Sequence, residues 1–303
     1  MRSKNLNRNG GAWLCALPGL IIISALSSSL AEPPGGLRPA ERLLQEKRPL
    51  VIAHRGYSTA APENSLPAFQ LAITAGSDLV ELDYHHSKDG IPIVIHDYEV
   101  DRTTDGVQVW GGKKIRVDQK TAAELQTLDA GKWFDPQFAG VRLPLLTEAL
   151  DLIQKQNVTL IERKAGDAAT CVRILRERDL LNRVVVQSFD WTYLKDFRQQ
   201  EPGQILGALG PPGSYAGKKL TDEEKRLQPK WNDEVKSIGA QLIVWNRNIT
   251  PEAVRDAHSK GLKVWVYTID EPAVANQLLD MEIDGIITNN PGLIWRTIAL
   301  RAK

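Results

Sequence analysis

The sequence predicts an α/β protein, a (β/α)8 barrel with a small insertion after the second strand. Three observations carry that expectation. Eight short apolar, β-branched runs recur along the chain: PLVIA (49–53), DLVELDYH (78–85), VTLIERK (158–164), RVVVQSF (183–189), QILGALG (204–210), QLIVWN (241–246), KVWVYTI (263–269) and DGIITN (284–289). They are too continuously apolar for strands with one wet face, and match parallel strands covered on both sides. Segments of helical period with cap signals separate most of them, as in TPEAVRDAHSKG, where Thr250 caps, Pro251 opens and Gly261 stops a helix. Residues 32–303 give a length close to the ~250 residues of such a barrel. A doubly wound open sheet is the alternative; it would normally carry a Gly-rich phosphate loop after a strand, and no GxGxxG occurs.

Taken in order, residues 1–31 have the layout of a cleaved secretory signal. Arg2, Lys4 and Arg8 give a positive start, an apolar stretch follows, and Ser29 and Ala31 are small residues before a cut at Glu32. An uncleaved anchor is the competing reading, but Pro18 and Gly19 break an apolar run already shorter than the ~20 residues of a spanning helix. The expected location is therefore secreted or periplasmic, with no stable membrane insertion after cleavage. Residues 32–48 form a Pro/Gly-rich lead ending in a short helix, and 49–303 the barrel. Two excursions exceed ordinary loops. Residues 86–145, with the insertion proper at about 97–145, hold an extra strand (IPIVIH) and a capping box at Thr121 and Glu124; residues 210–236 are polar and turn-rich. Both are expected to furnish the mouth of the barrel.

Composition narrows the function. Loss of residues 1–31 takes the net charge from +1 to −2, so no basic face for nucleic acid is implied. It also leaves Cys171 alone, and the fold must hold by packing without an internal disulfide.

Charge within the strands points to chemistry. Strand alternation puts Glu81, Asp83 and His85 on one face, and Glu162 with Lys164 on one face of another strand. All lie at strand C-terminal ends, as does His54, and in a barrel those ends form the catalytic mouth. Three converging acids cannot all stay ionised without positive partners; Lys164 offsets one, and an all-oxygen set favours Mg²⁺ or Ca²⁺ over Zn²⁺ for the rest. An internal salt-bridge network with Arg55, Arg163 or Lys164 is the structural alternative. His54 and His96, flanking an anionic site, suit general acid and general base, and Arg55 offers a planar fork for phosphate.

These residues fall in motifs that resemble the glycerophosphodiester phosphodiesterases. The motifs are HRG–x5–PEN (54–64), ELD (81–83), SKDG, VIHD, DRTTDG (101–106), LDAGKWF (128–134), RLPLLTEAL (142–150), IERK, VQSFD (186–190) and DGIITNNP, in family order over about residues 50–295. The resemblance implies a TIM barrel with an insertion after the HD histidine, and a cation, Ca²⁺ or Mg²⁺, on Glu81, Asp83 and Glu162. It implies His54 and His96 as acid and base, and Arg55 on the phosphate. The implied chemistry is attack by the glycerol 2-hydroxyl on phosphorus, release of the head-group alcohol, and opening of the cyclic phosphate to glycerol 3-phosphate. Glu63 and Asn64 are expected to orient Arg55 and start the next helix, Lys164 to touch phosphate or balance the acids, and His85 to touch substrate or else to be a hydrogen-bonded rim residue. Two departures stand out: Arg163 replaces an aliphatic residue in E-x-K, and Asn289 replaces the acid in a terminal TD-x-P. The expected partner is a small-molecule phosphodiester. A phospholipase D-like enzyme acting on lysophospholipids or sphingomyelin is one alternative, and a non-catalytic phosphodiester-binding envelope protein another.

Overall fold

A computed structural model describes residues 36–301; the signal expected at 1–31 lies outside the described residues. Eleven strands are present among them: β1 Leu50–Ala53, β2 Leu79–His86, β3 Pro92–Val94, β4 Val158–Arg163, β5 Val184–Ser188, β6 Leu206–Gly210, β7 Ser214–Tyr215, β8 Lys218–Lys219, β9 Leu242–Asn246, β10 Lys263–Tyr267 and β11 Gly285–Thr288. The sheet runs β1-β11-β10-β9-β6-β5-β4-β2, and β1 pairs with β2, so eight parallel strands close on themselves. The eight apolar runs are these eight strands. β3 adds to β2 antiparallel, and β7 pairs with β8 in a small hairpin of its own.

Alternation along each strand sorts the side chains into two cores. Leu50, Ile52, Leu79, Leu160, Val185, Leu242, Val244, Trp265 and Ile287 fill the barrel interior. Val51, Val80, Leu82, Ile161, Val184, Val186, Ile243 and Val264 face the surrounding helices. The helix Pro39–Leu44 closes one end of the interior: Ala40 joins that core, and Leu43 and Leu44 pack against it. The other end is where the inward positions turn polar: Ile52 is followed by His54, Leu79 by Glu81 and Asp83, Leu160 by Glu162, and Val185 by Gln187. The apolar plug below and the polar floor above come from one period-two pattern.

Two helices begin where the caps predict: Thr121 accepts from the Glu124 N–H and Thr250 from the Ala253 N–H, each removing an orphan donor of a first turn. The helix Leu66–Thr74 starts just past Glu63 and Asn64, with Ser65 as its cap, accepting from the Ala68 N–H. The segment after β3 carries its own core of Ile93, Ile95, Val100, Val117, Leu125, Leu128 and Leu143, so it packs as a unit on the barrel mouth. The 210–236 excursion differs from expectation. It forms the β7–β8 hairpin and the helix Pro229–Ile238, whose Trp231 is buried against Trp245, and none of it lines the cavity described below. Its tryptophan sends it to the outer core instead of the mouth. No helix among the described residues is long and apolar enough to cross a membrane.

Candidate active site

A cavity of about 220 Å³ opens at the C-terminal ends of the barrel strands. His54, Arg55, Glu81, His96, Glu162 and Lys164 line it. The register explains the convergence: Asp83 pairs with Glu162 across β2 and β4, and Glu162 with Gln187 across β4 and β5. One oxygen each from Glu81, Asp83 and Glu162 lies within 4.8 Å of the others, and all three residues are buried.

The electrostatics of this floor are unbalanced. Lys164 Nζ lies against Glu162 Oε1 and 3.2 Å from Asp83 Oδ1, while Arg55 Nε is 3.4 Å from Asp83 Oδ2. Burial opposes ionisation of Asp83, but Lys164 and Arg55 outweigh it and hold that carboxyl below its usual range. The other two acids lose the contest. Burial, with Asp83 beside it, pushes Glu162 up to about 7, and burial with both neighbouring acids raises Glu81 well above the usual range. Glu81 Oε1 is buried with no donor or cation against it, and Asp83 Oδ1 and Glu162 Oε1, also buried, have only the one Lys164 ammonium between them. Orphaned carboxylate oxygens are costly. A hard divalent cation with oxygen ligands fits these residues, because it supplies the charge that two side-chain cations do not.

The first turn after β1 positions the rest. Arg55 has φ +56° and Gly56 +79°, and a Cβ on Gly56 would sit 2.6 Å from the Ala68 carbonyl carbon, so the HRG turn needs glycine there. This tight turn brings the Arg55 N–H to 2.8 Å from Glu81 Oε2. Glu63 Oε1 accepts from Arg55 Nη1 at 2.7 Å, as expected. Asn64 does something else: its Nδ2 donates to Asp83 Oδ2 at 2.8 Å and its Oδ1 accepts from the Asp83 N–H at 3.1 Å, so it fixes an acid and not the guanidinium.

His85 takes the second of its two expected roles, a hydrogen-bonded residue beside the site and not a substrate contact. It shares the inward face of Glu81 and Asp83, but β3 covers it. Its Nε2 lies 3.0 Å from the His96 carbonyl oxygen, its ring stands edge-on to Tyr98, and it does not line the cavity. It braces the His96 backbone.

The two histidines at the cavity have different partners. His54 Nδ1 is 2.7 Å from Asn289 Oδ1, and removal from water, aided by Arg55, lowers its pKa to about 4. His96 Nδ1 is 2.7 Å from Asp97 Oδ1; burial lowers its pKa too, although Asp83 opposes the shift. Asp97 in turn accepts from Arg102 at 2.6 and 3.0 Å, and Arg102 reaches Glu63 with two bonds of 2.8 Å. A chain of hydrogen bonds, charged from Asp97 onward, thus runs His96–Asp97–Arg102–Glu63–Arg55.

Sequence reasoning missed Asp97 and Arg102 as part of the site, and the cavity residues Gln187, Phe189, Leu209, Tyr267, Thr268 and Ile287. Gln187 carried a usable signal, a polar residue at the inward C-terminal end of an apolar strand, as Glu162 does. Arg102 carried none beyond its motif, since its partners Asp97 and Glu63 lie 5 and 39 residues away.

A parallel barrel with a polar floor of three acids, two cations and two imidazoles at its C-terminal mouth is the arrangement of a phosphoric diester hydrolase. Residues 54–293 match the glycerophosphoryl diester phosphodiesterase family, and the chain belongs to that family. It is 33% identical over 249 residues to the glycerophosphodiester phosphodiesterase of Caldanaerobacter subterraneus subsp. tengcongensis, covering 80% of this chain and 94% of that protein. It is 30% identical over 296 residues to a Bacillus subtilis glycerophosphodiester phosphodiesterase, covering 91% and 96%. Among solved structures, a phosphodiesterase from Oleispira antarctica in complex with the product sn-glycerol-3-phosphate superposes with a TM-score of 0.71 at 27% identity, covering 83% of this chain and 97% of that one. These relatives favour neither the phospholipase D-like nor the non-catalytic alternative.

Proposed function

We propose that this enzyme is a divalent-cation-dependent glycerophosphodiester phosphodiesterase, splitting its substrate to glycerol 3-phosphate and an alcohol through a cyclic phosphate. The carrying observation is the convergence of Glu81, Asp83 and Glu162, with too few positive partners and an orphaned oxygen on Glu81, beside two differently partnered imidazoles. The product bound by the Oleispira relative supports the substrate class. Glu81, Asp83 and Glu162 would hold the cation. When bound, it neutralises charge growing on the phosphate oxygens.

The remaining work falls to side chains. Arg55 and Lys164 draw the diester phosphate to the floor. His54, neutral at pH 7, takes the proton of the glycerol 2-hydroxyl as that oxygen bonds to phosphorus. His96, whose imidazolium is supported by the Asp97 carboxylate, gives its proton to the departing head-group oxygen as the phosphorus–oxygen bond breaks. In the second half water loses a proton to His96 and bonds to phosphorus. The 2-oxygen leaves and takes the proton back from His54, restoring both rings. An assay for released glycerol 3-phosphate over several head groups tests this reading. Activity should vanish on exhaustive chelation and return with Ca²⁺ or Mg²⁺; unchanged turnover after chelation removes the metal, and no glycerol 3-phosphate from any diester removes the function.

We further propose export to the periplasm or the cell exterior, supported by the signal layout of residues 1–31. The N-terminal sequence of the protein recovered outside the cytoplasm should start at Glu32, and recovery of the chain with Met1 intact would end that reading.

A further inference from the structure

The ring of His54 has a tautomer that depends on a carboxylate two residues removed from it in a hydrogen-bonded series. Asp270 follows β10 and Asn289 follows β11, so both stand at the barrel mouth. Asp270 Oδ1 accepts from the Asn289 backbone N–H at 2.7 Å and from the Thr288 hydroxyl at 2.9 Å. Its other oxygen, Oδ2, accepts from the Asn289 side-chain Nδ2 at 2.7 Å. A carboxylate only accepts, so the amide must turn its NH₂ toward Asp270 and its carbonyl away. That carbonyl, Oδ1, faces His54 Nδ1 at 2.7 Å, with the Ser58 hydroxyl 2.9 Å from it on another side. A carbonyl oxygen also only accepts. The proton of neutral His54 therefore sits on Nδ1, and Nε2 carries a lone pair.

We infer that Asp270 is a positioning residue for catalysis: acting through Asn289, it sets the His54 tautomer that leaves Nε2 able to take a proton. The inference rests on the phosphodiesterase reading for its consequence, but not for its geometry. The family's usual acid at position 289 would accept from His54 with no help. Here an amide stands in that place, and an amide has two ends; Asp270 decides which end the ring meets.

Replacing Asp270 by asparagine should reverse the series. The fixed backbone N–H of Asn289 keeps the new side chain's oxygen in place, so its NH₂ lands opposite the Asn289 NH₂. Two donors cannot share that contact, and the Asn289 amide turns over. It then donates to His54 Nδ1 and drives the ring proton to Nε2. For Asp270→Asn, kcat should fall about 10²-fold with KM changed by no more than about threefold, because a proton acceptor is lost and no phosphate contact is. The exchange variant Asp270→Asn/Asn289→Asp restores an acceptor against His54 and a donor behind it. Its kcat should rise at least about tenfold above that of Asp270→Asn.

The decisive readout is independent of turnover. Imidazole ¹⁵N spectra of the unsubstituted protein, recorded at neutral pH with and without added Mg²⁺, should show His54 with Nδ1 protonated and Nε2 bare; Asp270→Asn should exchange the two. An Nε2-protonated His54 in the unsubstituted protein overturns the inference. So does a kcat for Asp270→Asn within about twofold of the unsubstituted enzyme, or an exchange variant no faster than Asp270→Asn. If no diester is hydrolysed at all, the proposed function fails, and the tautomer alone still decides between Asp270 setting the ring and Asp270 merely packing beside it.

Discussion

His54 stands directly after β1 and leans on an amide that follows β11, so everything that holds it belongs to the barrel wall. His96 ends the arm that returns along β3, and what holds it is a run of charges crossing from the insertion to the turn after β1. The first ring is fixed by neutral, half-buried contacts, the second by ion pairs reaching solvent, with the Arg102 side chain 45% exposed. Burial lowers the pKa of both rings, but His54 has only a neutral hydrogen-bond partner against that shift, whereas the Asp97 carboxylate opposes it at His96 and supports its imidazolium once it forms. The mouth is thus asymmetric before any substrate arrives, and the proposed mechanism, with one base and one acid in the same step, uses that asymmetry.

The largest test of this comparison removes each ring. His54→Ala and His96→Ala should each lower kcat about 10²-fold or more on a diester whose head group is an ordinary alcohol. With a glycerophosphodiester whose leaving group is an acidic phenol, the departing oxygen needs no proton. The loss for His96→Ala in the first-turnover rate of phenol release should then shrink markedly while that for His54→Ala persists, although opening of the cyclic phosphate, where His96 takes the proton from water, stays slow. Equal losses on both substrates would break the division of labour.

Arg102 comes next. It bridges Asp97 and Glu63, and so ties the His96 arm to the Arg55 turn. Arg102→Gln should reduce kcat/KM about tenfold, the scale of a charged hydrogen-bond link between groups that touch substrate, and Arg102→Lys should fall between. Loss confined to Arg55→Ala, with Arg102→Gln unaffected, would show that the arm stands without its tie.

The same network has a pH signature. Burial opposes ionisation of Asp97, but Arg102 and His96 outweigh it and lower its pKa from 3.8 to about 2. A carboxyl depressed on folding contributes stability that is complete above its unfolded pKa and is lost as pH falls through the folded one. The stability gap between the parent and Arg102→Gln should therefore be widest above pH about 4, at roughly 1 kcal/mol given the exposure of the pair, and close toward pH 2. Thermal melts across that range check it. A gap that widens on acidification would mean Asp97 is not the group that Arg102 holds.

The same division explains what could be read from sequence. Strand alternation is local, so Glu81, Asp83 and Glu162 announced themselves as inward acids at strand ends, and the eight strands followed from eight apolar runs. Cap and turn chemistry is local too, and Thr121 and Thr250 cap their helices as their sequences require. What escaped depends on contacts between distant segments. Arg102 and Glu63 are 39 residues apart, and His54 and Asn289 are 235 apart. Asn64 was assigned to Arg55 by proximity, but the αL turn at φ +56° swings its amide to Asp83. His85 had the right face of the right strand, and only the covering arm of β3 removes it from the cavity.

The smallest effect marks where the His96 arm ends. Behind His96, His85 braces its backbone and Tyr98 packs edge-on to His85; Arg116 lies over the Tyr98 ring, its carbon 4.5 Å from the centroid, and pairs with Asp118. Arg116 and Asp118 are both largely open to solvent, where an ion pair holds little and salt screens it. Tyr98 is itself 45% exposed, so its ring can shift without disturbing the buried His85. Arg116→Ala should therefore leave kcat and KM within about twofold of the parent enzyme, whereas Arg102→Gln, on the inner side of the same arm, should not. A fall of tenfold for Arg116→Ala would mean that the charge network positioning His96 continues outward through Tyr98, and that the insertion holds this ring from two sides.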